Sequence, residues 1–168
     1  MSQTENTPGM ASTKPAKTQG FTFNHSMIRI KDPKVTLDFY SRIIGMRLLR
    51  QQHFDDFSLY FMGFVDDDKL PADEAERKTF VAKLSGVLEL THNHGTEDQD
   101  DFSYHSGNEE PKGFGHICVS VPNLDEAIAW FDEHEVAYQK RPEEGNMKDI
   151  AFIKDPDGYW IEIIGYGQ

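Results

Sequence analysis

The sequence predicts an α+β fold in which one βαβββ module occurs twice, and three observations carry this prediction. A Phe-x-His string opens an apolar stretch at His25 and again at His116. An aromatic pair begins 14 residues after each histidine, at Phe39 and at Trp130. Each half also closes with a strand-like run in which one glutamate lies between apolar residues. An internal repeat of this kind indicates two structurally equivalent units.

The first module begins with a strand and a helix. Residues 23–31 alternate with the period of two that is typical of a strand, and Asp32-Pro33 ends it. Apolar residues at helical spacing predict a helix over 34–44, with Asp32 near its N-terminal cap and Gly45 as its C-terminal cap. Strands are then predicted over 46–52, 57–65 and 86–93.

The acidic stretch 66–83 interrupts this module and is predicted to be an inserted surface loop with a short helical turn. Glu89 follows His25 by 64 residues, whereas Glu162 follows His116 by 46. The difference of 18 residues equals the length of the insert, so both modules have the same spacing from histidine to glutamate once the insert is left out.

The second module repeats the same order. A strand begins at His116, and a helix is predicted over 124–133 with Asn123 as its N-cap. Strands follow over 136–140, 149–154 and 159–164. The predicted organisation is therefore an N-terminal flexible arm (1–20), a first module (21–93), a connecting loop (94–112) and a second module (113–168).

Composition excludes several classes of function. The formal net charge of −12 argues against binding to nucleic acid or to an anionic membrane surface, because both favour dense Lys and Arg. The arm lacks the apolar region of a secretory signal, and no apolar run is long enough to cross a membrane. The single cysteine, Cys118, fits a reducing cytoplasm and is predicted to fill the core.

Two histidines and two glutamates are the candidate functional residues. Taken singly, each glutamate could lie on the solvent face of its strand, and each histidine could have a surface or core role. Their matched positions in a repeat favour another interpretation, in which a pseudo-two-fold axis brings His25, Glu89, His116 and Glu162 together. Such a set suits Zn²⁺, Ni²⁺, Co²⁺, Mn²⁺ or Fe²⁺ and leaves room for water or substrate on an octahedral ion.

Positive residues near these strands are scarce in so acidic a chain. Arg29 shares the predicted face of His25, and Lys112 precedes the second Phe-x-His string. Lys140, Arg141 and Lys148 surround a predicted turn at 142–145. They are either counter-charges for a small anionic substrate or ordinary surface ion pairs.

Several strings resemble the glyoxalase I (lactoylglutathione lyase) family of the vicinal-oxygen-chelate superfamily, in its long form. They lie at 27–33, 37–40, 57–61, 88–93, 113–116 and 155–162, of which the last two are the most diagnostic. This resemblance extends from about residue 23 to residue 164. It implies a glyoxalase/bleomycin-resistance-like fold, with the paired modules forming a curved mixed sheet around a metal site.

The resemblance also implies a ligand set and an assembly. The metal ligands would be His25, Glu89, His116 and Glu162, binding one divalent ion per site. The long form is typically zinc-using, but its eukaryotic members usually have Gln where His25 stands, so Ni²⁺ or Co²⁺ are alternatives to Zn²⁺. Family members are typically homodimers in which His25 and Glu89 of one chain would meet His116 and Glu162 of the other.

The activity implied is isomerisation of the methylglyoxal–glutathione hemithioacetal to S-lactoylglutathione through an enediolate, with glutathione as co-substrate. Glu162 would be the principal base and Glu89 its partner for the other stereoisomer. The substrate contacts carried over are Arg29, Asn93, Lys112, Asn146 and Met147. Lys112 and Asn146 depart from the family's Arg and Lys, and Lys148 or Lys140 would compensate for the missing charge.

Three alternatives share this fold. An extradiol dioxygenase would hold Fe²⁺ with two histidines and one glutamate, and the presence of both Glu89 and Glu162 disfavours it. A metal-free, drug-sequestering binding module would not require both glutamates. An acyl-CoA epimerase would share the proton abstraction, but the dense string matches favour the lyase.

Overall fold

The computed structural model describes residues 7–11 and 13–167. Its strands are β1 (His25–Ile30), β2 (Arg47–His53), β3 (Phe57–Gly63), β4 (Val87–Asn93), β5 (His116–Val121), β6 (Tyr138–Lys140), β7 (Ile150–Lys154) and β8 (Trp160–Gly165). They form two four-stranded sheets of equivalent order, β1-β4-β3-β2 and β5-β8-β7-β6. In each sheet the first and last strands of the module pair in parallel and the other neighbours are antiparallel. The predicted α+β fold of paired βαβββ modules is confirmed.

Helices α1 (Pro33–Asp38) and α3 (Leu124–Glu133) connect the first two strands of their modules, and α2 (Glu74–Ala82) lies in the insert. Helix α1 continues as a π-helical turn over Phe39–Ile43, so the predicted helix is present with one irregular segment. The predicted caps are confirmed. The Asp32 carboxylate accepts a hydrogen bond from Lys34 N at 2.8 Å, and the Asn123 side chain caps α3. Gly45 ends the first helix with a φ of +83°.

The insert contains more regular structure than predicted. A short 3₁₀ helix (Asp67–Lys69) precedes α2, and the Asp73 carboxylate caps α2 by accepting from two backbone N–H groups. Val81 of α2 is buried with Leu49 and Val87 in a small cluster against the first sheet. The prediction of a loop with a short turn was wrong, because few apolar residues anchor α2 and the surrounding acidic residues obscure its periodicity.

One hydrophobic core joins the two modules. Its members come from both sheets and from the helices that pack on them. Fully buried examples are Ile30 and Leu90 in the first module and Ile153, Ile161 and Ile163 in the second. The opposite face of each sheet is left more exposed, and this is the face that carries the candidate functional residues.

The Asp-Pro-Asp-Gly turn of the second module binds the first helix of the first module. Asp157 accepts hydrogen bonds from Lys31 N at 2.8 Å and from Thr36 Oγ1 at 2.9 Å. The buried hydroxyl of Tyr40 donates to Asp155 Oδ2 at 2.9 Å. Burial raises the pKa of Asp155 to about 7, although the hydrogen bond from Tyr40 opposes the shift. The turn therefore connects the modules as well as reversing the chain.

The predicted N-terminal arm lies partly outside the described residues, which omit 1–6 and 12. Its described part contains one short 3₁₀ turn, Ala16–Thr18. Among the described residues, none of the helices has the length and apolar character that a membrane span requires.

Candidate metal site divided between two sheets

The first half of the candidate site lies on neighbouring parallel strands. His25 is the first residue of β1, and Glu89 on β4 is in register with Met27, two residues further along β1. Because alternate residues of a strand share a face, the two side chains point to the same side of the sheet. His25 Nε2 lies 3.1 Å from Glu89 Oε2. The imidazole is 40% exposed and the carboxylate 14%, so the pair faces the open side of the sheet.

The second half reproduces this geometry. His116 begins β5, and Glu162 on β8 is in register with Cys118, again two residues further along. His116 Nε2 lies 3.2 Å from Glu162 Oε2, with exposed fractions of 41% and 22%. The equivalence predicted from the spacing of histidine and glutamate is therefore present in three dimensions for each pair.

An aromatic ring supports each pair from the next strand of its sheet. Phe61 on β3 is in register with Glu89, and its ring packs edge-on against His25 at 5.9 Å. Phe152 on β7 is in register with Glu162 and packs edge-on against His116 at 5.2 Å. Each His–Glu pair therefore has an aromatic neighbour on the same face of its sheet.

Each pair suits one half of a metal site. Imidazole nitrogen and carboxylate oxygen bind divalent transition ions at about 2.1 Å, so two such ligands at right angles are separated by about 3 Å. The observed separations of 3.1 and 3.2 Å match that spacing. The same distances also suit direct hydrogen bonds between imidazole and carboxylate. Donor set and spacing thus fit a metal, with two protein ligands contributed by each sheet.

A single chain does not unite the two pairs. Within residues 7–11 and 13–167, the structure contains no group of three or more His, Cys, Asp or Glu side chains arranged to hold a metal ion. The four predicted ligands occur as two separate His–Glu pairs on two sheets.

Arg29 and Asn93 occupy the same face of the first sheet as His25 and Glu89. Arg29 is exposed near the end of β1, and Asn93 is half-buried at the end of β4. The Tyr104 hydroxyl lies 3.4 Å from Asn93 Oδ1. The structure thus places these two predicted substrate contacts beyond the first His–Glu pair, along the strand direction.

The substrate contacts predicted in the second half are on loops. Lys112 is exposed just before β5, and Asn146 and Met147 are exposed in the turn between β6 and β7. The Lys140 ammonium donates to three backbone carbonyls, those of Arg141, Met147 and Ile150. Since an ammonium has three donors, Lys140 uses all of them to hold this turn in shape.

Cys118 is not a core residue, so that prediction was wrong. It is exposed on the face of β5 that also carries His116. Partial burial and the neighbouring Glu162 carboxylate both raise the pKa of its thiol. A strand places residues two positions apart on one face, so Cys118 shares the open face of the sheet with His116.

Sequence reasoning also missed Asn24, which precedes His25. Its Oδ1 lies 2.7 Å from His25 Nδ1, and its Nδ2 donates to Val81 O in the insert and to Leu84 O directly after it. The Asp155 and Asp157 contacts with the first module were missed too, although the turn itself was identified. Neither set of contacts could be predicted from the local sequence, because the hydrogen-bond partners are far away along the chain.

The fold and the two His–Glu pairs together define a class of protein, and comparison with known families identifies that class. The chain belongs to the Glyoxalase/Bleomycin resistance protein/Dioxygenase superfamily, whose family model matches residues 22–163.

Its relatives include curated proteins and solved structures. A lactoylglutathione lyase of Pseudomonas putida is 50% identical over 159 residues, which cover 94% of this chain and 92% of that protein. Glyoxalase I of Saccharomyces cerevisiae is 47% identical over 148 residues, covering 86% of this chain but only 45% of the longer yeast protein. The structure of Leishmania major glyoxalase I, described as trypanothione-dependent, has a TM-score of 0.63 and 30% identity, covering 86% of both chains.

Proposed function

We propose that this protein is a lactoylglutathione lyase (glyoxalase I), converting the hemithioacetal of methylglyoxal and glutathione to S-lactoylglutathione. The observation that carries the proposal is the pair of equivalent His–Glu sets, His25–Glu89 and His116–Glu162, each with its Nε2 close to a carboxylate oxygen. Half of the aligned residues are identical to a protein with that name in Pseudomonas putida, over nearly the full length of both chains.

The complete site forms in a homodimer. His25 and Glu89 of one chain meet His116 and Glu162 of the second, giving two shared sites per dimer. Two features support this arrangement: the pairs are separate within one chain, and each faces the open side of its sheet. A two-fold axis makes the two sites identical, as expected for an isologous dimer. Sedimentation of the metal-loaded protein at twice the chain mass is the expected result.

These four residues hold one divalent ion per site, with Zn²⁺ preferred and Ni²⁺ or Co²⁺ as alternatives. A bound ion supplies Lewis-acid polarisation of an oxygen beside the acidic C–H bond. The protein contributes two neutral imidazoles and two carboxylates, so the ligand set balances the dipositive charge. Metal analysis coupled to activity across the three ions tests the preference.

Glu162 is the principal base. Its carboxylate removes the proton from the carbon that carries the sulfur, and the electrons of that C–H bond move toward the neighbouring carbonyl to give an enediolate. The proton then returns to the adjacent carbon, the hydroxyl proton of the carbon bonded to sulfur moves to the oxygen of that adjacent carbon, and the carbon bonded to sulfur becomes the thioester carbonyl, so no atom is gained or lost. Glu89 has the equivalent position in the first module and serves the other stereoisomer.

The glutathionyl group binds beside the metal through residues of both modules. Arg29 and Asn93 extend from the first His–Glu pair on the same face, and the Arg29 guanidinium suits a carboxylate of the tripeptide. Lys112, Asn146 and Met147 approach from exposed loops of the other chain's second module. Counter-charges are necessary because the protein itself has a net charge of −12.

The direct test is formation of the thioester absorbance from methylglyoxal plus glutathione, after reconstitution with Zn²⁺, Ni²⁺ or Co²⁺. We expect activity with at least one ion and none after chelation. Inactivity with all three ions would refute the lyase. The Glu162→Gln variant should retain the dimer but lose turnover by at least about a hundredfold. An unchanged rate in that variant would remove Glu162 from the role of base.

The alternatives are less well supported. An extradiol dioxygenase would use three ligands around iron, whereas here both glutamates occupy equivalent positions beside a histidine. A metal-free binding module would have no need of either His–Glu pair. We place the reaction in the cytoplasm, since a single free cysteine and a glutathione-dependent reaction both suit a reducing compartment.

A further inference from the structure

The metal-ligand candidate His25 is hydrogen-bonded to the residue before it, and that residue is bound to the insert. Asn24 Oδ1 lies 2.7 Å from His25 Nδ1. The same amide donates through Nδ2 to Val81 O and to Leu84 O, both at 2.9 Å. Val81 lies in the last turn of α2 and Leu84 just beyond its end, so Asn24 binds the chain where the helix terminates.

These contacts determine how the amide is oriented. An amide nitrogen has two donors and no acceptor, and both donors are used by the two carbonyls. A flipped amide would place its oxygen against two carbonyl oxygens at 2.9 Å, which is repulsive. The oxygen of Asn24 therefore faces His25 and can accept a hydrogen bond from it.

This orientation favours one tautomer of His25. A neutral imidazole carries one proton, and each ring nitrogen faces an acceptor, Asn24 Oδ1 at 2.7 Å from Nδ1 and Glu89 Oε2 at 3.1 Å from Nε2. When Nε2 binds a metal ion, the proton must lie on Nδ1, where Asn24 Oδ1 accepts it. The Asn24 contact therefore favours the tautomer that binds metal through Nε2, the nitrogen that faces Glu89.

We propose that Asn24 is a positioning residue through which the insert holds His25 ready to bind metal. The acidic insert interrupts only the first module, and the carbonyls that fix Asn24 come from Val81 in its helix and from Leu84 directly after it. The inference rests on the proposed role of His25 as a ligand. The insert then has a function at the metal site and is more than an added surface segment.

The second module offers an internal comparison. The residue before His116 is Gly115, which has no side chain to hold the imidazole. In the described part of the chain, His116 Nδ1 has no hydrogen-bond partner. The two histidines therefore differ in what holds the imidazole at Nδ1, although each has the same relation to the glutamate of its pair.

Nitrogen-15 NMR of the metal-free Glu89→Ala variant tests the tautomer directly, because the competing acceptor at Nε2 is absent. With ¹⁵N-labelled histidine, long-range proton–nitrogen spectra distinguish a protonated Nδ1 from a protonated Nε2. At a pH high enough for the ring to be neutral, we expect His25, assigned by comparison with a variant that also carries His25→Gln, to carry its proton on Nδ1. A neutral His25 with its proton on Nε2 in this variant would overturn the proposal.

Metal affinity, measured by competition with a chromophoric chelator, tests the consequence. Loss of such a partner to a ligating histidine typically weakens metal binding by about 10- to 100-fold, and we expect this for Asn24→Ala. The Asn24→Asp variant keeps an acceptor for His25 but has no donors for Val81 O and Leu84 O. We expect it to lose affinity too, whereas wild-type affinity in Asn24→Asp would overturn the link to the insert.

Asn123→Ala is the matched control. It removes an asparagine side chain that also binds backbone groups, here at the N-terminus of α3, remote from the insert. It should leave metal affinity and the His25 tautomer unchanged. If Asn24→Ala and Asn123→Ala weaken binding equally, Asn24 acts only through general stability and the proposal fails. If the wild type binds no metal, the proposed lyase fails, but the tautomer of His25 still decides the present inference.

Discussion

Replacing Tyr40 with Phe removes one hydroxyl at the junction of the two modules. That hydroxyl is fully buried and donates to Asp155 Oδ2 at 2.9 Å. The other carboxylate oxygen, Oδ1, already accepts from the backbone N–H groups of Asp157 and Tyr159. The change therefore leaves Oδ2 without this donor. A buried acceptor left unsatisfied costs about 1–3 kcal/mol, which we expect as the loss in unfolding free energy at pH 8.

The cost should depend on pH in a definite direction. Burial raises the pKa of Asp155 to about 7, above the value of about 3.9 for an unfolded chain. The folded protein thus binds the extra proton more readily, so this group lowers stability as pH rises from about 4 to about 7. The Tyr40 hydrogen bond lowers the Asp155 pKa, and its removal penalises the ionised form. We expect Tyr40→Phe to cost about 1 kcal/mol or less at pH 5.5, where the carboxyl is protonated.

Urea unfolding of both proteins at pH 5.5 and pH 8, at one fixed protein concentration, measures the difference. Tyr138→Phe is the control, because its hydroxyl lies 3.3 Å from Ile128 O within the second module. It should cost less than about 1 kcal/mol at both pH values. A Tyr40→Phe cost that is equal at both pH values, or larger at pH 5.5, would refute the assignment to Asp155.

Two further predictions concern the open faces of the sheets. Arg29→Ala should raise KM for the hemithioacetal by about 10- to 100-fold with a smaller change in kcat, because a charge-assisted hydrogen bond to the substrate is lost. Steady-state kinetics measure both constants. Arg42→Ala is the control, because Arg42 pairs with Asp38 on an exposed helix. A tenfold fall in kcat at constant KM would contradict the binding role. Cys118 should react with iodoacetamide more slowly than free glutathione at pH 8, because its pKa is raised; mass spectrometry of the metal-free protein follows the reaction, and a faster rate than free glutathione would contradict the assignment.

The repeat explains why so much of the fold was predictable. Each module carries its own period-two strands, helix and glutamate strand, so one half supports the interpretation of the other. Helix α3 was predicted with its observed bounds, because Asn123 marks its start and its apolar residues have helical spacing. The two His–Glu pairs were predictable for the same reason, since the parallel register of each module places them alike.

Long-range contacts were not predictable in this way. The Asp-Pro-Asp-Gly turn is a local motif, and nothing in its sequence indicates that Asp157 accepts from Lys31 N and Thr36, more than 100 residues away. In the sequence Asn24 is an ordinary polar residue beside a histidine, and only the fold brings Val81 O and Leu84 O to its amide. The insert itself was misjudged because its stability comes from packing on the first sheet rather than from a regular apolar stripe.

A mixing experiment tests the central claim that two chains complete each site. One chain carries His25→Ala and Glu89→Gln, and the other carries His116→Ala and Glu162→Gln. Each variant alone should be inactive. After the two are unfolded together and refolded as a mixture, half of the dimers are hybrids with one intact site of two, so about a quarter of wild-type activity is expected. A fully inactive mixture, in which hybrid dimers are demonstrated by mass spectrometry, would contradict the shared site.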